Sequence, residues 1–227
     1  MEAMPLDYKR VTLFAGHYGS GKTNIALNYA RWLRRQGLPV TIADLDIVNP
    51  YFRTKDSADT LSAAGIPLIS PAYANSNVDL PALPQELYSL VQQRQYYAVL
   101  DVGGDDRGAL ALGRYTPFIV EENDYDMFCV INFYRPLTQN AEEAAEVMAE
   151  ITAASRIPFT AIVNNSNLGR DTKPDDILRT VPECEKLSRM TGLPIAFTTV
   201  EKALLPEMGA GNYMPLVLQK RYFDINV

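Results

Sequence analysis

Cysteine is scarce in this chain. The 227 residues hold two, Cys129 and Cys184, far apart in sequence. That excludes a CxxC redox pair or a cysteine metal cluster, and the two read as buried thiols in a reducing compartment. Long apolar runs are missing as well, and none approaches the roughly 18 residues of a membrane span. Residues 1–10 are short and mixed, without the apolar core of a secretory leader. Positive charge is in deficit: 21 Lys and Arg face 27 Asp and Glu, for a net −6. Nucleic acid held by bulk electrostatics is therefore not an expected partner. Repeats and low-complexity segments are also lacking. What is present is ample core material, with 47% apolar residues. The expectation is a soluble, cytoplasmic chain folded as a single domain over residues 1–227.

Short apolar runs alternate with longer helical patterns. Strands are expected at 11–15, 40–44, 67–69, 97–102, 127–133, 159–164 and 194–199. Helices are expected at 21–36, 84–93, 107–115, 139–154 and 175–190. Gly37-Leu38-Pro39 stops the first helix. The runs VTLFA, YYAVLDV and MFCVINF carry apolar residues on both faces. Strands of that kind belong to a parallel sheet covered on both faces. The expected fold is α/β, a doubly wound, mostly parallel sheet of about seven strands with helices on both sides. Ligands in such folds sit beyond the carboxyl ends of the strands. The segment 75–84 (NSNVDLPALP) is the most loop-like. The C-terminal MPLVLQKRYF is ambiguous and is assigned to surface or partner packing.

One loop stands where that rule puts a ligand. In FAGHYGSGKTN, Gly16, Gly21, Lys22 and Thr23 satisfy GxxxxGK[ST] between a strand and a helix. Backbone N–H groups and the helix dipole there favour phosphate oxygens. Gly19 and Gly21 let the backbone approach, Lys22 supplies a cation, and the Thr23 hydroxyl is a Mg²⁺ ligand. The loop residues Gly16, His17, Tyr18, Gly19, Ser20, Gly21, Lys22, Thr23 and Asn24 form the candidate nucleotide site. His17 is the only histidine, and loop packing explains it more simply than chemistry on the nucleotide.

Such a loop needs acids at neighbouring strand tips. ADLDIVNP offers Asp44 and Asp46, which alternation places on one side of the strand. VLDVGGDD offers Asp101, in the place of a Walker B acid, with Gly103-Gly104 behind it. The base is read from IVNNSNLG. Guanine readers use a pattern like NKxD, and here Asn165 and Asn167 stand where Lys and Asp would. Asn164, an amide that both donates and accepts, suits the adenine edge. TKPD at 172–175 resembles a guanine motif but reads better as a helix start.

Taken together, GHYGSGKTN, ADLDIVNPYFR, VLDVGGDDRGALALGRY and VNNSN resemble the MinD/ParA-related (SIMIBI-type) P-loop ATPases. They are most similar to bacterial ATP-binding proteins with a cobyrinic acid a,c-diamide synthase-type nucleotide-binding domain. The resemblance implies an ATPase that forms a nucleotide-dependent homodimer and switches state on hydrolysis. It implies that Asp46 acts with Lys22 in catalysis by positioning the attacking water. Asp101 would organise Mg²⁺ with Thr23, helped by Asp44. Asn164, with Asn165 beside it, would contact adenine, and residues 199–201 would close over the base. One departure is large. The branch's loop reads KGGxGK[ST], and its first Lys reaches a partner's phosphates; here that position is His17. Arg53 and Arg107 are the expected stand-ins.

Two functions follow as expectations. One is a Mg-ATP-dependent switch acting on an unidentified partner protein. The alternative is an ATP-dependent small-molecule kinase or ligase, its acceptor pocket lined by residues 50–57, the 75–84 loop and Arg135-Pro136. Lys22, Thr23, Asp46 and Asp101 argue against a module that binds without hydrolysing.

Overall fold

The computed structural model describes residues 8–45, 54–70, 85–92, 94–103, 109 and 112–216. Its strands are β1 (Val11–Ala15), β2 (Val40–Leu45), β3 (Leu68–Ile69), β4 (Tyr97–Val102), β5 (Tyr125–Ile131), β6 (Ala161–Asn164), β7 (Ile195–Glu201) and β8 (Tyr213–Leu216). They form an eight-stranded sheet in the order β3-β2-β4-β1-β5-β6-β7-β8. Every pairing is parallel. This is an α/β, P-loop NTPase-like fold. Because all strands run one way, Ala15, Leu45, Val102, Ile131 and Asn164 end on the same edge of the sheet.

The doubly apolar runs have a direct structural meaning. Val11, Leu13 and Ala15 enter one core, with Met127, Cys129 and Ile131 of β5. Phe14 enters the other, with Phe128 and Val130. Strand side chains alternate faces, so a strand covered on both sides carries apolar residues on both, with the buried Thr12 the one polar residue of β1. Helix α1 (Lys22–Arg35) covers the second face through Ile25, Tyr29 and Leu33. Leu61 of α2 (Thr54–Ala63) joins it there. On the first face lie Leu87 of α3 (Gln85–Gln92), Ile119 of α4 (Thr116–Glu122) and Val147 of α5 (Ala141–Ser155). Phe14 meets Tyr29 edge-on at 5.4 Å between ring centroids and Phe128 at 5.6 Å. Burying one such ring contributes roughly 1.5–3 kcal/mol, so this cluster fixes α1, and with it the phosphate loop, to the sheet.

Several expectations need correction. The fold class is as expected, and among the described residues the sheet of about seven, mostly parallel strands has eight, all parallel. The extra strand is β8, in the segment assigned to surface or partner packing. It carries Pro215 and, among the described residues, pairs with β7 alone. Proline donates no N–H, which an edge strand tolerates. The helix expected at 175–190 is two helices, α6 (Pro174–Leu178) and α7 (Val181–Thr191). Pro182 in the first turn of α7 lacks the N–H needed to continue the earlier helix. Helices α2 and α4 are additions to the expected set. Residues 199–201 are the end of β7, paired with β8, and not a separate flap. The 75–84 loop lies outside the described residues, as do residues 107, 108, 110 and 111 of the helix expected at 107–115.

Candidate functional site

The turn from β1 into α1 is shaped by three glycines at positive φ: Gly16 at 153°, Gly19 at 77° and Gly21 at 90°. An added Cβ on Gly16 would sit 2.3 Å from the Val130 carbonyl oxygen. On Gly21 it would sit 2.3 Å from the Asn165 amide nitrogen. Both positions therefore require glycine for space as well as for conformation. The loop closes on itself through the Ser20 amide and the Lys22 ammonium. They donate to the His17 carbonyl at 3.2 and 3.1 Å.

The start of α1 is bare. Gly21 precedes it without a side-chain cap, and the first turn carries no acid. Helix α5 shows the usual alternative: Asn140 accepts from the Glu143 amide, and Glu142 and Glu143 occupy its first turn. Residues 16–24 contain no Asp or Glu at all. The Ser20 hydroxyl is buried, at 1% exposure, and has no hydrogen-bond partner among the described residues. N–H groups, a cation and an unsatisfied hydroxyl around an uncapped helix start fit an anionic, phosphate-bearing ligand.

The acids meet this loop at the expected edge. Asp44 and Asp101 are register partners on adjacent strands, so they leave the same face of the sheet. The Thr23 hydroxyl donates to Asp101 Oδ2, and Asp101 is buried. Among the described residues no group of three or more His, Cys, Asp or Glu forms a metal cage. Mg²⁺ needs none, since it keeps waters and binds through one or two protein groups plus phosphates. Thr23 and Asp101 fit that role. Asp46, Arg53 and Arg107 lie outside the described residues.

The base-side residues are arranged differently from their expected use. Asn164 is buried at 1% exposure. Its amide donates to the Thr180 hydroxyl at 3.1 Å, and its oxygen accepts from the Ser166 amide and hydroxyl at 3.1 and 2.7 Å. Asn165 is also buried and donates to the Ser20 carbonyl at 2.6 Å, while its oxygen accepts from the Thr199 hydroxyl. It thus ties β6 and β7 to the phosphate loop. Asn167 donates to the Asn165 carbonyl at 2.7 Å and accepts from the Gly169 amide at 3.1 Å. Of the remaining loop residues, Tyr18 is 62% exposed and His17 Nδ1 lies 3.0 Å from the Tyr18 carbonyl. Asn24 accepts from the Asn28 amide at 2.8 and 3.3 Å.

Two residues join the site in roles that sequence reasoning does not give them. Asn132, just past β5, accepts from the Tyr134 and Asn167 amides at 3.0 and 3.3 Å and donates to the Asn167 carbonyl at 3.2 Å. Thr199 braces Asn165 from β7. Asn132 follows an apolar strand, which is the one signal that could have found it. Cys129 lies buried below the loop, where desolvation raises its thiol far above the ordinary range against the pull of the Lys22 charge. Cys184 is pushed up to about 12 by burial. Neither is a nucleophile at neutral pH.

No protein-family model and no curated protein matches this chain. Solved structures do. FtsY from Thermotoga maritima superposes with a TM-score of 0.58 at 19% identity, over 86% of this chain and 63% of that one. The signal recognition particle receptor FtsY from Elizabethkingia anophelis, in complex with GDP, gives 0.52 at 18%, over 88% and 59%. The Signal Recognition Particle 54 kDa protein from Aeropyrum pernix, also in complex with GDP, gives 0.53 at 20%, over 86% and 42%. Such identities show a shared fold. In each case this chain spans less than two thirds of the solved chain. No described helix is long and apolar enough to cross a membrane.

Proposed function

We propose that this chain binds Mg-ATP at residues 16–24 and hydrolyses it, acting as a nucleotide-dependent switch on a partner protein. It works as one nucleotide-binding domain in the cytoplasm. The observation that carries this reading is the uncapped, acid-free start of α1, fronted by Lys22 and the unsatisfied Ser20 hydroxyl. The backbone amides and Lys22 hold the phosphates. Thr23 and Asp101, with Asp44 on the same face, hold Mg²⁺, which neutralises phosphate charge. Asp46 orients the attacking water, as the MinD/ParA resemblance implies. Asn167 at the place of a guanine-reading Asp supports adenine. The GDP in two of the solved neighbours makes guanine the competing base. The structural role of Asn164 moves the base contact to other groups, so Asn164 holds the base side of the site in shape.

The test is solution mass by light scattering for Asp46→Asn with Mg-ATP, ADP and Mg-GTP, with binding measured in the same samples. A doubling with Mg-ATP alone, lost on EDTA, is expected. The same doubling with Mg-GTP alone would reassign the base. Binding without any mass change would overturn the homodimer and favour the small-molecule kinase or ligase. No binding of either triphosphate would overturn the nucleotide site itself.

A further inference from the structure

The turn after β5, residues 132–138, lies against the phosphate loop. Its Arg135 is exposed, and a Cβ on Gly19 would sit 3.8 Å from both Cδ and Nε of Arg135. The root of that guanidinium is thus in van der Waals reach of the loop. Arg135 forms no ion pair among the described residues, although acids outnumber bases in the chain. The loop it faces contains no acid to neutralise it.

The turn that carries Arg135 is stiff. The Arg135 amide donates to the Asn132 carbonyl at 3.0 Å, and the Thr138 hydroxyl donates to the same carbonyl at 2.8 Å. The Phe133 amide donates to the Ser166 hydroxyl at 3.0 Å, and the Tyr134 hydroxyl donates to the Asp176 carbonyl at 2.7 Å. Leu137 is held at φ 65° although it is not glycine, and it is 61% exposed. A left-handed leucine with no burial to reward it persists only where the surroundings over-determine it. Here the surroundings fix an arginine beside Gly19.

We infer that Arg135 is a phosphate-binding residue of this site, supplying in cis a cation over the loop whose signature lysine is replaced by His17. This rests on the proposed nucleotide site and deepens it. Two cations, Lys22 and Arg135, then flank one acid-free loop. An arginine suits the task because its planar fork donates two parallel hydrogen bonds to phosphate oxygens and keeps its charge at every physiological pH. It also needs no partner subunit to deliver it.

The test is equilibrium binding of Mg-AMPPNP, Mg-GMPPNP and ADP to the full chain, to Arg135→Ala and to Arg135→Lys. Arg135→Ala should bind the preferred triphosphate analogue roughly ten- to a hundredfold more weakly. Arg135→Lys should recover part of that loss, because it restores charge without the fork. The melting temperature without ligand should be unchanged, since the side chain is exposed and holds no described partner. Equal affinity of Arg135→Ala and the parent for the analogue would overturn the assignment while leaving the nucleotide site standing. A parent that binds none of the three would overturn both.

Discussion

The side-chain amide of Asn165 donates to the backbone carbonyl of Ser20, 145 residues earlier, at 2.6 Å. The other end of the same side chain accepts from the Thr199 hydroxyl. One amide thereby joins the phosphate loop, β6 and β7, and all three residues are buried.

Removing that amide should therefore act on stability and on ligand binding together. Asn165→Ala leaves the Ser20 carbonyl without this donor, at a cost of about 1–3 kcal/mol for a buried group left unsatisfied, and leaves the Thr199 hydroxyl only its longer bond to the Asn164 carbonyl at 3.4 Å. Asn165→Asp should be worse, because a carboxylate cannot donate and would set an anion against the Ser20 carbonyl. Chemical denaturation should rank wild type above Ala and Ala above Asp. Nucleotide affinity should fall in both variants, as Gly21 rests against this amide. An Asp variant as stable as the parent would show that the bond contributes nothing.

Gly16 and Gly37 separate two reasons for glycine. Gly37 has φ 84°, and an added Cβ there would meet nothing within 4 Å, so Gly37→Ala meets conformational strain alone. That costs about 1–2 kcal/mol and should leave nucleotide binding intact. Gly16→Ala meets backbone, with its Cβ 2.3 Å from the Val130 carbonyl oxygen. Either β1 or β5 must shift, and the loop with it. Gly16→Ala should lose more stability than Gly37→Ala and abolish nucleotide binding. Wild-type binding by Gly16→Ala would mean that the cradle adapts.

Much of this arrangement is legible in the residues alone. VTLFA and MFCVINF carry apolar residues on both faces because both faces of the sheet are covered, so the parallel sheet follows from local pattern. GHYGSGKTN carries its own chemistry in adjacent residues, and Asp101 ends a strand that the pattern marks. What stays hidden depends on partners far along the chain. Asn164 and Asn165 look alike as base contacts, yet one bonds Thr180 and the other bonds Ser20. Arg135 reads locally only as a wall of an acceptor pocket, because nothing near it in sequence tells that its turn folds over Gly19. β8 is masked by Pro215, which argues against a strand unless the strand is known to be an edge.

Asp126 offers a pH test that is independent of any ligand. It is half-buried at the start of β5, and burial raises its carboxyl above the ordinary 3.8, against the lowering effects of the Thr160 hydroxyl bond and the Lys9 charge. The folded protein thus holds this proton more tightly than the unfolded chain does. Its contribution to stability is present at low pH and is lost as pH rises through the folded-state value, so at pH 7 the charged carboxylate opposes folding. Asn keeps the shape, and its oxygen can accept from the Thr160 hydroxyl, which donates to Asp126 Oδ1 at 3.0 Å in the wild type. Asp126→Asn should therefore melt higher than wild type at pH 7, with the advantage shrinking as pH falls towards 4. Melting curves between pH 7 and pH 4 decide it. A variant that is less stable than wild type at pH 7 and regains ground in acid would reverse the sign, and would mean that the Lys9 attraction outweighs burial.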